Sequence, residues 1–551
     1  MPVLVDYSDC VVESIIFIGQ SSQTKGMTDK ETEYWLGIDL GTTSVKVVLL
    51  DLDGNVLCSK SKQTCADVES DEGDCGYEQD PSKIMEVTED VISTVIYPYK
   101  ENVKGVGITG QMHGVMLWSE EKQNPIKAQQ CKKDFPHHSN LYTWQDQRCS
   151  PEFLGSLPNQ SDCHQTLSTG YGCATLFWLT QHRQALVKDQ GFTACGTIMD
   201  YLVCRLCELD HPVTSDHLAA SFGYFNKEIT AWDEVLIQNG DFPYHLLPHI
   251  IPAGKVVGHT FEVFGLPMGV PVFVAMGDVQ CAMQAMLSSP HDAVVNISTS
   301  IQLGFAVSKA KREKIVQTSP ACISFFPYFD DQELALFAGL NGGNAIFCFA
   351  ESIAQWVSDL GIASDIKATS LLPKLQNLSE NLRAKNSLVS KHVSSPLVIH
   401  PVLFGERHDK SLKASVSGLD YASLSNVGLL FHSLSEGVVN HLHCMVSPEY
   451  LASQGIARLQ VSGSVPTNNV VVIDRLRLLY SGRAHASENK DHVFHDVGSP
   501  QGTGGIGCDN ETGDVEGVKP RVEVVMDTRG LESVGSALGA ARVAHSYSSS
   551  R

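Results

Sequence analysis

The sequence has 551 residues, 43% of them apolar, so it is long enough for two to four domains with well-filled cores. Lysine and arginine number 40 against 62 aspartates and glutamates, which gives a formal net charge of −22. Because such an acidic surface repels nucleic-acid backbones and anionic lipid, we expect neither a nucleic-acid partner nor a membrane partner.

The first strong structural signal comes after residue 33. Residues 1–33 are polar and irregular, and we interpret them as a disordered extension outside the fold. Apolar strands are then predicted at residues 35–38 and 44–50, with a further strand from Val56. These closely spaced strands argue against a GxGxxG dinucleotide site, which needs a helix directly after the first strand.

The chain then alternates helix and strand. Asp80 and Pro81 begin a helix in the favoured way, as cap and first residue, and residues 103–108 return to strand. Residues 293–303 form a second strand–turn–strand segment that echoes the first hairpin. The pattern predicts an α/β fold, duplicated, with an active site between its halves.

The last part of the chain contains a segment of different composition. Residues 482–519 are rich in Gly, Asp, Glu, Asn and His and have little apolar periodicity, so we interpret them as a disordered insertion. Apolar pattern resumes at residues 522–526, and a helix with small residues is predicted at 533–545.

Sixteen cysteines are scattered singly along the chain, which is typical of a reducing compartment. Cys204 and Cys207 have C-x-x-C spacing among apolar neighbours and lack a second ligand pair, so we interpret them as buried structural thiols. The sequence has no basic segment preceding an apolar core at its start and no run of about 18 apolar residues. We therefore expect a cytoplasmic protein without a transmembrane helix.

The turn after the first strand has the residues of a phosphate site. Gly41 allows a tight turn whose amides face an anion, Thr42 and Thr43 add hydroxyl donors, and Lys46 lies close along the hairpin. Asp39 ends a buried strand, where a carboxylate is costly unless it is paired or faces a metal. The alternative is an ordinary polar hairpin.

A second acidic residue follows an apolar strand. Asp278 comes after residues 271–276, and strand ends of α/β sheets are where catalytic groups usually collect. An aspartate there can accept the proton of a sugar hydroxyl during phosphoryl transfer. It can equally cap the next helix.

Two polar clusters have the composition of a sugar site. Gln111, Met112 and His113 follow a strand, and residues 143–148 combine the aromatic Trp144 with Asp146 and a guanidinium. Each also has an ordinary explanation: Trp144 as core, Asp146 with Arg148 as a surface ion pair, and His113 as a structural histidine.

In this order, the motifs resemble the carbohydrate-kinase family that includes glycerol kinase, gluconokinase and xylulokinase. The resemblance runs from about residue 35 to 480 and resumes near 522. It rests on GIDLGTTSVK at 37–46, GQMHG at 110–114, TWQDQR at 143–148, SDHLAASFGYFN at 215–226, GD at 277–278, NISTSIQL at 296–303, LNGGN at 340–344 and GERH at 405–408.

The resemblance implies two ribonuclease H-like (actin-like ATPase) domains with a cleft between them, at 34–285 and 286–545. It implies ATP and Mg²⁺ as cofactors, a small-molecule sugar as partner, and either a monomer or a homodimer. Asp278 would be the general base, and Asp39 with Asp278 would organise the metal. The residues implied for ATP are Gly41, Thr42, Thr43, Lys46, Thr299, Ser300, Gly343, Gly463, Ser464 and Asn468. The residues implied for the sugar are Gln111, Met112, His113, Trp144, Asp146 and Asp278.

The reaction implied is phosphorylation of the seven-carbon ketose sedoheptulose at its terminal hydroxyl, with another ketose or polyol such as xylulose as an alternative. A nucleotide-binding regulator and a catalytically impaired isoform also stay open as explanations of these motifs. The sequence departs from the family pattern in three places: Val461 and Pro466 in a usually glycine-rich adenosine motif, the insertion at 482–519, and Gln147 in place of a glycine.

Overall fold

The computed structural model describes residues 14–17, 32–119, 137–160, 167–311, 320, 322–384, 397–406, 409–482, 521–526 and 535–548, with backbone alone at 14–17 and 383–384. The chain divides into two compact units. Unit 1 comprises Met1–Ser288, Phe325–Leu334 and Leu531–Arg551, and unit 2 comprises Ser289–Ser324 and Ala335–Gly530.

Unit 1 is α/β. Its strands up to residue 288 are β1 (Ser14–Phe17), β2 (Tyr34–Leu40), β3 (Ser44–Leu50), β4 (Val56–Gln63), β5 (Asp67–Val68), β6 (Glu78–Gln79), β7 (Val103–Gly110), β8 (Met116–Trp118), β9 (Leu141–Tyr142), β10 (Ala194–Gly196), β11 (Val213–Ser215), β12 (Phe225–Asn226), β13 (Ala231–Trp232), β14 (His249–Ile251), β15 (Val256–His259), β16 (Pro271–Phe273) and β17 (Met276–Gly277). Its helices up to residue 288 are α1 (Pro81–Ile96), α2 (Pro151–Ser156), α3 (Gly172–His182), α4 (Gln184–Asp189), α5 (Ile198–Cys207), α6 (Asp216–Phe222), α7 (Glu234–Gln238) and α8 (Asp278–Met286).

The main sheet of unit 1 has the order β1-β4-β3-β2-β7-β16-β15, with β17 also pairing with β7. β2, β3 and β4 form an antiparallel meander, whereas β7 runs parallel to β2 and β17 runs parallel to β7. The predicted strands and the helix begun by Asp80 are confirmed, and the Asp80 side chain accepts a hydrogen bond from Ser82 N.

The sequence interpretation of residues 1–33 is wrong for one stretch. Ser14–Phe17 pairs antiparallel with β4 and adds an edge strand to the sheet. The physical reason is that the sequence Ile15, Ile16 and Phe17 suits a strand, and β4 otherwise offers an open edge with unpaired amides. The rest of that segment up to residue 31 lies outside the described residues.

Unit 2 is also α/β. The strands after residue 288 are β18 (Asp292–Ile297), β19 (Ile301–Ser308), β20 (Ile323–Pro327), β21 (Gln332–Gly339), β22 (Val398–His400), β23 (Ser415–Ser417), β24 (Arg458–Ser462) and β25 (Glu523–Met526). The helices after residue 288 are α9 (Gly343–Asp359), α10 (Ala368–Ala384), α11 (Tyr421–Leu424), α12 (Val427–Met445), α13 (Pro448–Ser453), α14 (Ser464–Asn468), α15 (Val470–Leu476) and α16 (Gly535–Ser548).

The second large sheet has the order β20-β21-β19-β18-β24-β25. β18 and β19 form the predicted hairpin, and β24 and β25 continue the sheet in parallel beside β18. Each of the two large sheets therefore has an antiparallel hairpin whose first strand is followed by parallel neighbours. This repeated order agrees with the duplication inferred from the sequence.

The C-terminal helix α16 belongs to unit 1, which differs from the predicted domain span of 286–545. The cause is close packing between small residues. A Cβ added to Gly37 would overlap Ala537 O, one added to Gly107 would overlap Ala540 O, and one added to Gly539 would overlap Cys281 O. Helix α16 therefore lies directly against β2, β7 and α8.

Cys204 and Cys207 lie on α5 and are buried, as predicted. The predicted insertion at 482–519 lies outside the described residues from residue 483 onward.

Candidate active site

In unit 1 the predicted catalytic residues meet at one edge of the main sheet. Asp39 and Leu40 of β2 pair with Thr109 and Gly110 of β7, and Gly110 pairs with Gly277 of β17. Because these three strands are parallel, their carboxyl ends meet at the same edge, where ligands bind in open α/β sheets. Asp39, Gln111 and Asp278 therefore come from the ends of three neighbouring strands.

The turn between β2 and β3 is tight and its flanking charges face each other. Gly41 N donates to Ser44 O at 3.0 Å, which closes the turn. Asp39 and Lys46 are cross-strand partners, and Lys46 Nζ lies 3.9 Å from Asp39 Oδ2. Burial raises the pKa of Asp39, and the positive charge of Lys46 counteracts this only in part.

Asp278 is the first residue of α8, and its Oδ1 accepts a hydrogen bond from Val279 N at 2.7 Å. Asp278 is therefore a strand-end acid, whereas its interpretation as the cap of the next helix is wrong, because Gly277 holds the cap position of α8 and Asp278 is already helical. Asp278 is partly buried, and burial together with the negative charge of Asp39 raises its pKa to about 7. A buried carboxyl group, Asp39, and a partly buried one, Asp278, both with raised pKa values, form a site that would favour a cation or a proton.

The sequence interpretation did not include Gln280, which lies one position beyond Val279 on α8. Its side chain is buried, and its Nε2 donates to Pro327 O at 3.4 Å. Among the described residues, Gln280 Oε1 finds no hydrogen-bond partner, and it occupies the space where a Cβ on Gly277 would lie. The sequence gives one indication of Gln280: it lies two residues after Asp278, so both belong to the first turn of the same helix.

Thr42 joins the phosphate turn to both predicted sugar clusters. Its hydroxyl accepts a hydrogen bond from Trp144 Nε1 at 3.0 Å and donates to Gln111 Oε1 at 3.4 Å. Gln79 completes the network: its Nε2 donates to Thr42 O at 2.7 Å, and its Oε1 accepts from Gln111 Nε2 at 3.0 Å. Trp144 is 49% exposed, so its side chain lies at the surface and its interpretation as a core residue is wrong.

Met112 and His113 lie beside this network. The Met112 Cε lies close to Gly277, 3.0 Å from where a Cβ would be. His113 has a φ of 74°, its Nδ1 lies 2.7 Å from Ser221 O, and its ring stacks on Tyr171 at 4.6 Å between centroids. A non-glycine residue in the left-handed region is uncommon and its orientation is fixed here by two partners.

Asp146 lies in a buried ion pair, so its interpretation as a surface pair with Arg148 is wrong. The Asp146 side chain is fully buried, and its oxygens accept from Tyr77 N at 3.0 Å and from Arg148 Nε at 2.7 Å. Arg148 in turn donates to Glu78 at 2.8 Å and lies over the Tyr142 ring. The reason lies in the fold: the Arg148 guanidinium lies over the rings of Tyr142 and Trp178 and satisfies the carboxylates of Asp146 and Glu78 at once.

In unit 2 the turn between β18 and β19 contains Thr299 and Ser300, and Thr299 is exposed. Ser298 N donates to Ser300 O at 3.0 Å, which closes the turn. Two amides at the start of α9 donate to it, Gly343 N to Ser298 O at 2.7 Å and Asn344 N to Thr299 O at 3.0 Å. The predicted residues of the second hairpin and of the LNGGN motif are therefore brought together.

The predicted adenosine motif follows β24 and reaches the same turn. Gly463 has a φ of 108°, and a Cβ there would overlap Ile297 O. Ser464 N lies 3.4 Å from Ser298 Oγ, and Asn468 Nδ2 donates to Ser464 O at 2.8 Å. Thr299, Ser300, Gly343, Gly463, Ser464 and Asn468 thus form one cluster, which we name the nucleotide cluster.

Two departures from the family pattern lie next to the nucleotide cluster. Val461 is fully buried inside β24, where it pairs with Val295 and Met526. Pro466 lies in the short helix α14 and is also buried. Both side chains fill space within unit 2.

Among the described residues, no group of three or more His, Cys, Asp or Glu side chains could hold a metal ion by itself. Within the same residues, no helix has the length and apolar character needed to cross a membrane.

Comparison with known proteins gives three findings. Residues 34–284 match the N-terminal domain of the FGGY family of carbohydrate kinases. The chain is 36% identical over 455 residues to human sedoheptulokinase, covering 79% of this chain and 91% of the relative. It is 36% identical over 469 residues to the mouse sedoheptulokinase, covering 83% and 95%.

Solved structures agree at the level of the fold. The xylulose kinase from Rhodospirillum rubrum gives a TM-score of 0.66 at 18% identity, covering 94% of this chain and 91% of that one. The glycerol kinase of Plasmodium falciparum with ADP gives a TM-score of 0.64 at 17% identity, covering 94% and 90%. The predicted α/β fold of the two-domain actin-like ATPase type is confirmed.

These findings and the site geometry agree on ATP-dependent phosphorylation of a small-molecule sugar. The chain belongs to the FGGY family of carbohydrate kinases.

Proposed function

We propose that this chain transfers the γ-phosphoryl group of ATP to the terminal hydroxyl of sedoheptulose, giving sedoheptulose 7-phosphate and ADP. The observation that carries the proposal is Asp278, a partly buried carboxyl at a sheet edge whose pKa is raised to about 7. The choice of sedoheptulose as acceptor rests on the human and mouse sedoheptulokinases, which match this chain along most of their length.

Asp278 acts as the general base in this proposal. Because its pKa is about 7, part of this carboxyl is ionised at neutral pH. The ionised form can accept the proton of a sugar hydroxyl. The sugar oxygen then attacks the γ-phosphorus while the bond to the β–γ bridging oxygen breaks, and ADP leaves with that oxygen. Positioning and charge neutralisation supply most of the rate.

Asp39 and Asp278 would hold Mg²⁺ together with the phosphates of ATP. The residues fit such an ion, because the burial and mutual repulsion of the two carboxyl groups leave negative charge that a cation would compensate. A site with one or two carboxylates suits Mg²⁺, which keeps several waters and binds through substrate phosphates. When bound, the ion would neutralise phosphate charge.

Nucleotide and acceptor are assigned to different parts of the chain. Gly41, Thr42, Thr43 and Lys46 would meet the β- and γ-phosphates, and the nucleotide cluster of unit 2 would hold the rest of ATP. Gln111, Met112, His113 and Trp144 would contact the sugar. Asp146 would act on the sugar site through its loop, since its oxygens already bind Tyr77 and Arg148.

The cytoplasm is the compartment we assign, because the sixteen cysteines are scattered singly along the chain, which is typical of a reducing compartment.

The test is ADP formation by the purified chain with MgATP, with and without sedoheptulose, in a coupled assay. We expect ADP formation that depends on sedoheptulose and a higher kcat/KM for it than for xylulose, gluconate or glycerol. A higher kcat/KM for xylulose would support the alternative ketose kinase. ATP hydrolysis unchanged by every sugar would contradict the proposal and favour a nucleotide-binding regulator.

A further inference from the structure

A buried polar network in unit 2 lies behind the nucleotide cluster and takes no part in the mechanism above. Its centre is Glu406, which is fully buried. Glu406 accepts hydrogen bonds from His441 Nε2 at 2.9 Å, Asn341 Nδ2 at 2.7 Å and Leu340 N at 2.9 Å. These donors come from two separate elements, since α12 supplies His441 and the segment after β21 supplies the other two.

The network keeps Glu406 ionised. Burial alone would raise its pKa, but the hydrogen bonds from His441, Asn341 and Leu340 outweigh burial and hold the pKa below the ordinary value. A buried carboxylate that loses one such donor is left with uncompensated charge, which is strongly unfavourable. The segment that supplies the donors is therefore fixed in place as long as the network is complete.

Asn341 ties the same segment to the chain around Glu406. Its Nδ2 also donates to Gly405 O at 2.7 Å, and its Oδ1 accepts from Phe404 N at 3.1 Å. The LNGGN and GERH motifs, which are 65 positions apart between Asn341 and Glu406, are thus joined by side-chain hydrogen bonds. Arg407 and His408 of the second motif lie outside the described residues.

The fixed segment continues directly into the nucleotide cluster. Asn344 Oδ1 accepts from Gly342 N at 2.9 Å, and Asn344 Nδ2 donates to Leu340 O, which holds the loop 340–344 in one shape. The next amides, of Gly343 and Asn344, are those that donate to Ser298 O and Thr299 O. A continuous path of hydrogen bonds therefore runs from His441 through Glu406 to the turn that contains Thr299.

We propose that Glu406 and His441 are positioning residues for the nucleotide: they fix the loop 340–344 and, through it, the Thr299 turn that receives ATP. This rests on the proposed role of the nucleotide cluster in binding ATP. A buried carboxylate held by several donors holds the segments that supply those donors in one geometry, because the loss of a donor leaves its charge uncompensated. Neither residue touches the substrates in this proposal.

The test uses two substitutions of His441 that both introduce a side-chain amide and differ only in side-chain length. Glutamine places its amide nitrogen as many bonds from Cα as His Nε2, so His441→Gln keeps a donor for Glu406, whereas His441→Asn is one methylene too short. Val439→Ala, a buried position on the same helix α12, serves as the control for a loss of stability without a change in the network.

We expect His441→Asn to raise KM for ATP about tenfold, equivalent to about 1.4 kcal/mol, while KM for the sugar changes little. His441→Gln should restore KM for ATP to near the wild-type value. Val439→Ala should lower Tm without changing KM for ATP. Measurements are made below the Tm of every variant, so unfolding does not contribute.

Titration of ADP by calorimetry gives a second measurement that needs no acceptor sugar. A weaker Kd in His441→Asn that His441→Gln restores supports the proposal. Equal Kd and KM values in His441→Asn, His441→Gln and wild type would overturn it, as would equal weakening in His441→Asn and Val439→Ala. Absence of sugar-dependent turnover in the wild type would instead contradict the proposed function, and the ADP titration would still decide the role of His441.

Discussion

The turn between β2 and β3 and the turn between β18 and β19 have equivalent places in their sheets but different supports. Charged side chains flank the first, with Asp39 and Lys46 facing each other across the hairpin. The second has no charged residue from Asn296 to Gln302 and is held by backbone amides of Gly343 and Asn344. We therefore assign the charge-dependent chemistry of phosphoryl transfer to the first turn and recognition of the shape of the nucleotide to the second.

The different supports imply different failures when a residue changes. Removal of a carboxyl near the first turn removes a chemical group and leaves the backbone in place. A side chain added around the second turn displaces backbone, because glycines approach it closely. We therefore expect turnover to be lost in the first case and nucleotide affinity in the second.

The largest expected effect is at the acid beside the first turn. Asp278→Asn should lower kcat by about 10²- to 10⁴-fold, the range that a general base contributes. Coupled ADP assays with saturating sugar and ATP measure it, and Asp189→Asn, an exposed carboxyl on α4, is the matched control. Near-normal turnover in Asp278→Asn would show that Asp278 is not the general base.

The next effect is at the second turn. Gly463→Ala should raise KM for ATP about 10- to 100-fold, because the added methyl group overlaps Ile297 O and displaces the turn. Gly455→Ala is the control, since Gly455 also has a positive φ, 85°, but open space around its Cβ position, and the left-handed backbone alone costs alanine about 1–2 kcal/mol. Equal KM values in both variants would show that close approach at Gly463 has no part in ATP binding.

Much of the first turn could be predicted from the sequence, and less of the second. The residue types at Asp39, Gly41 and Lys46 indicate their chemistry, and strand alternation sets their register. The second turn depends on Gly343 and Gly463, which are distant in the sequence and meet only through tertiary packing. Local patterns do not show which segments approach each other.

Burial of charge was the other property that the sequence did not reveal. Asp146 and Arg148 have the spacing of a surface pair, yet both are buried because Glu78 and the Tyr142 ring complete their surroundings. Glu406 is buried because His441, Asn341 and Leu340 each donate to it. Such partners come from separate elements, so burial of an ion pair follows from the fold and not from the motif.

A smaller effect concerns pH and stability. The pKa of Asp278 is raised to about 7 in the folded chain, against an ordinary value near 4, so the folded state favours the protonated carboxyl. Its contribution to stability is complete below pH about 4 and is lost as pH rises through about 7. Asparagine stays neutral, so Asp278→Asn should raise Tm more at pH 8 than at pH 5.

The expected difference in Tm between the two pH values is about 2–4 °C for each kcal/mol of unfolding free energy. Thermal denaturation in Mg²⁺-free buffer measures it. A Tm change of the same size at pH 5 and pH 8 would mean that burial does not raise the pKa of this carboxyl.

The smallest expected effect is for deletion of residues 483–520. The residues on either side are already joined: Val522 N donates to Tyr480 O at 3.0 Å, and Val524 N donates to Ser481 Oγ at 3.1 Å. Rejoining Gly482 to Arg521 should leave kcat and KM within about twofold of the full chain. Activity that appears only after deletion would identify the full chain as an impaired isoform.

The division of labour between the two turns is tested most directly by ADP affinity in Asp278→Asn. Calorimetric titration in Mg²⁺-free buffer should give a Kd within about twofold of wild type, because independent residues contribute additively, while kcat falls by about 10² or more. A Kd that rises in proportion to the loss of kcat would contradict the assignment of chemistry to the first turn and nucleotide recognition to the second.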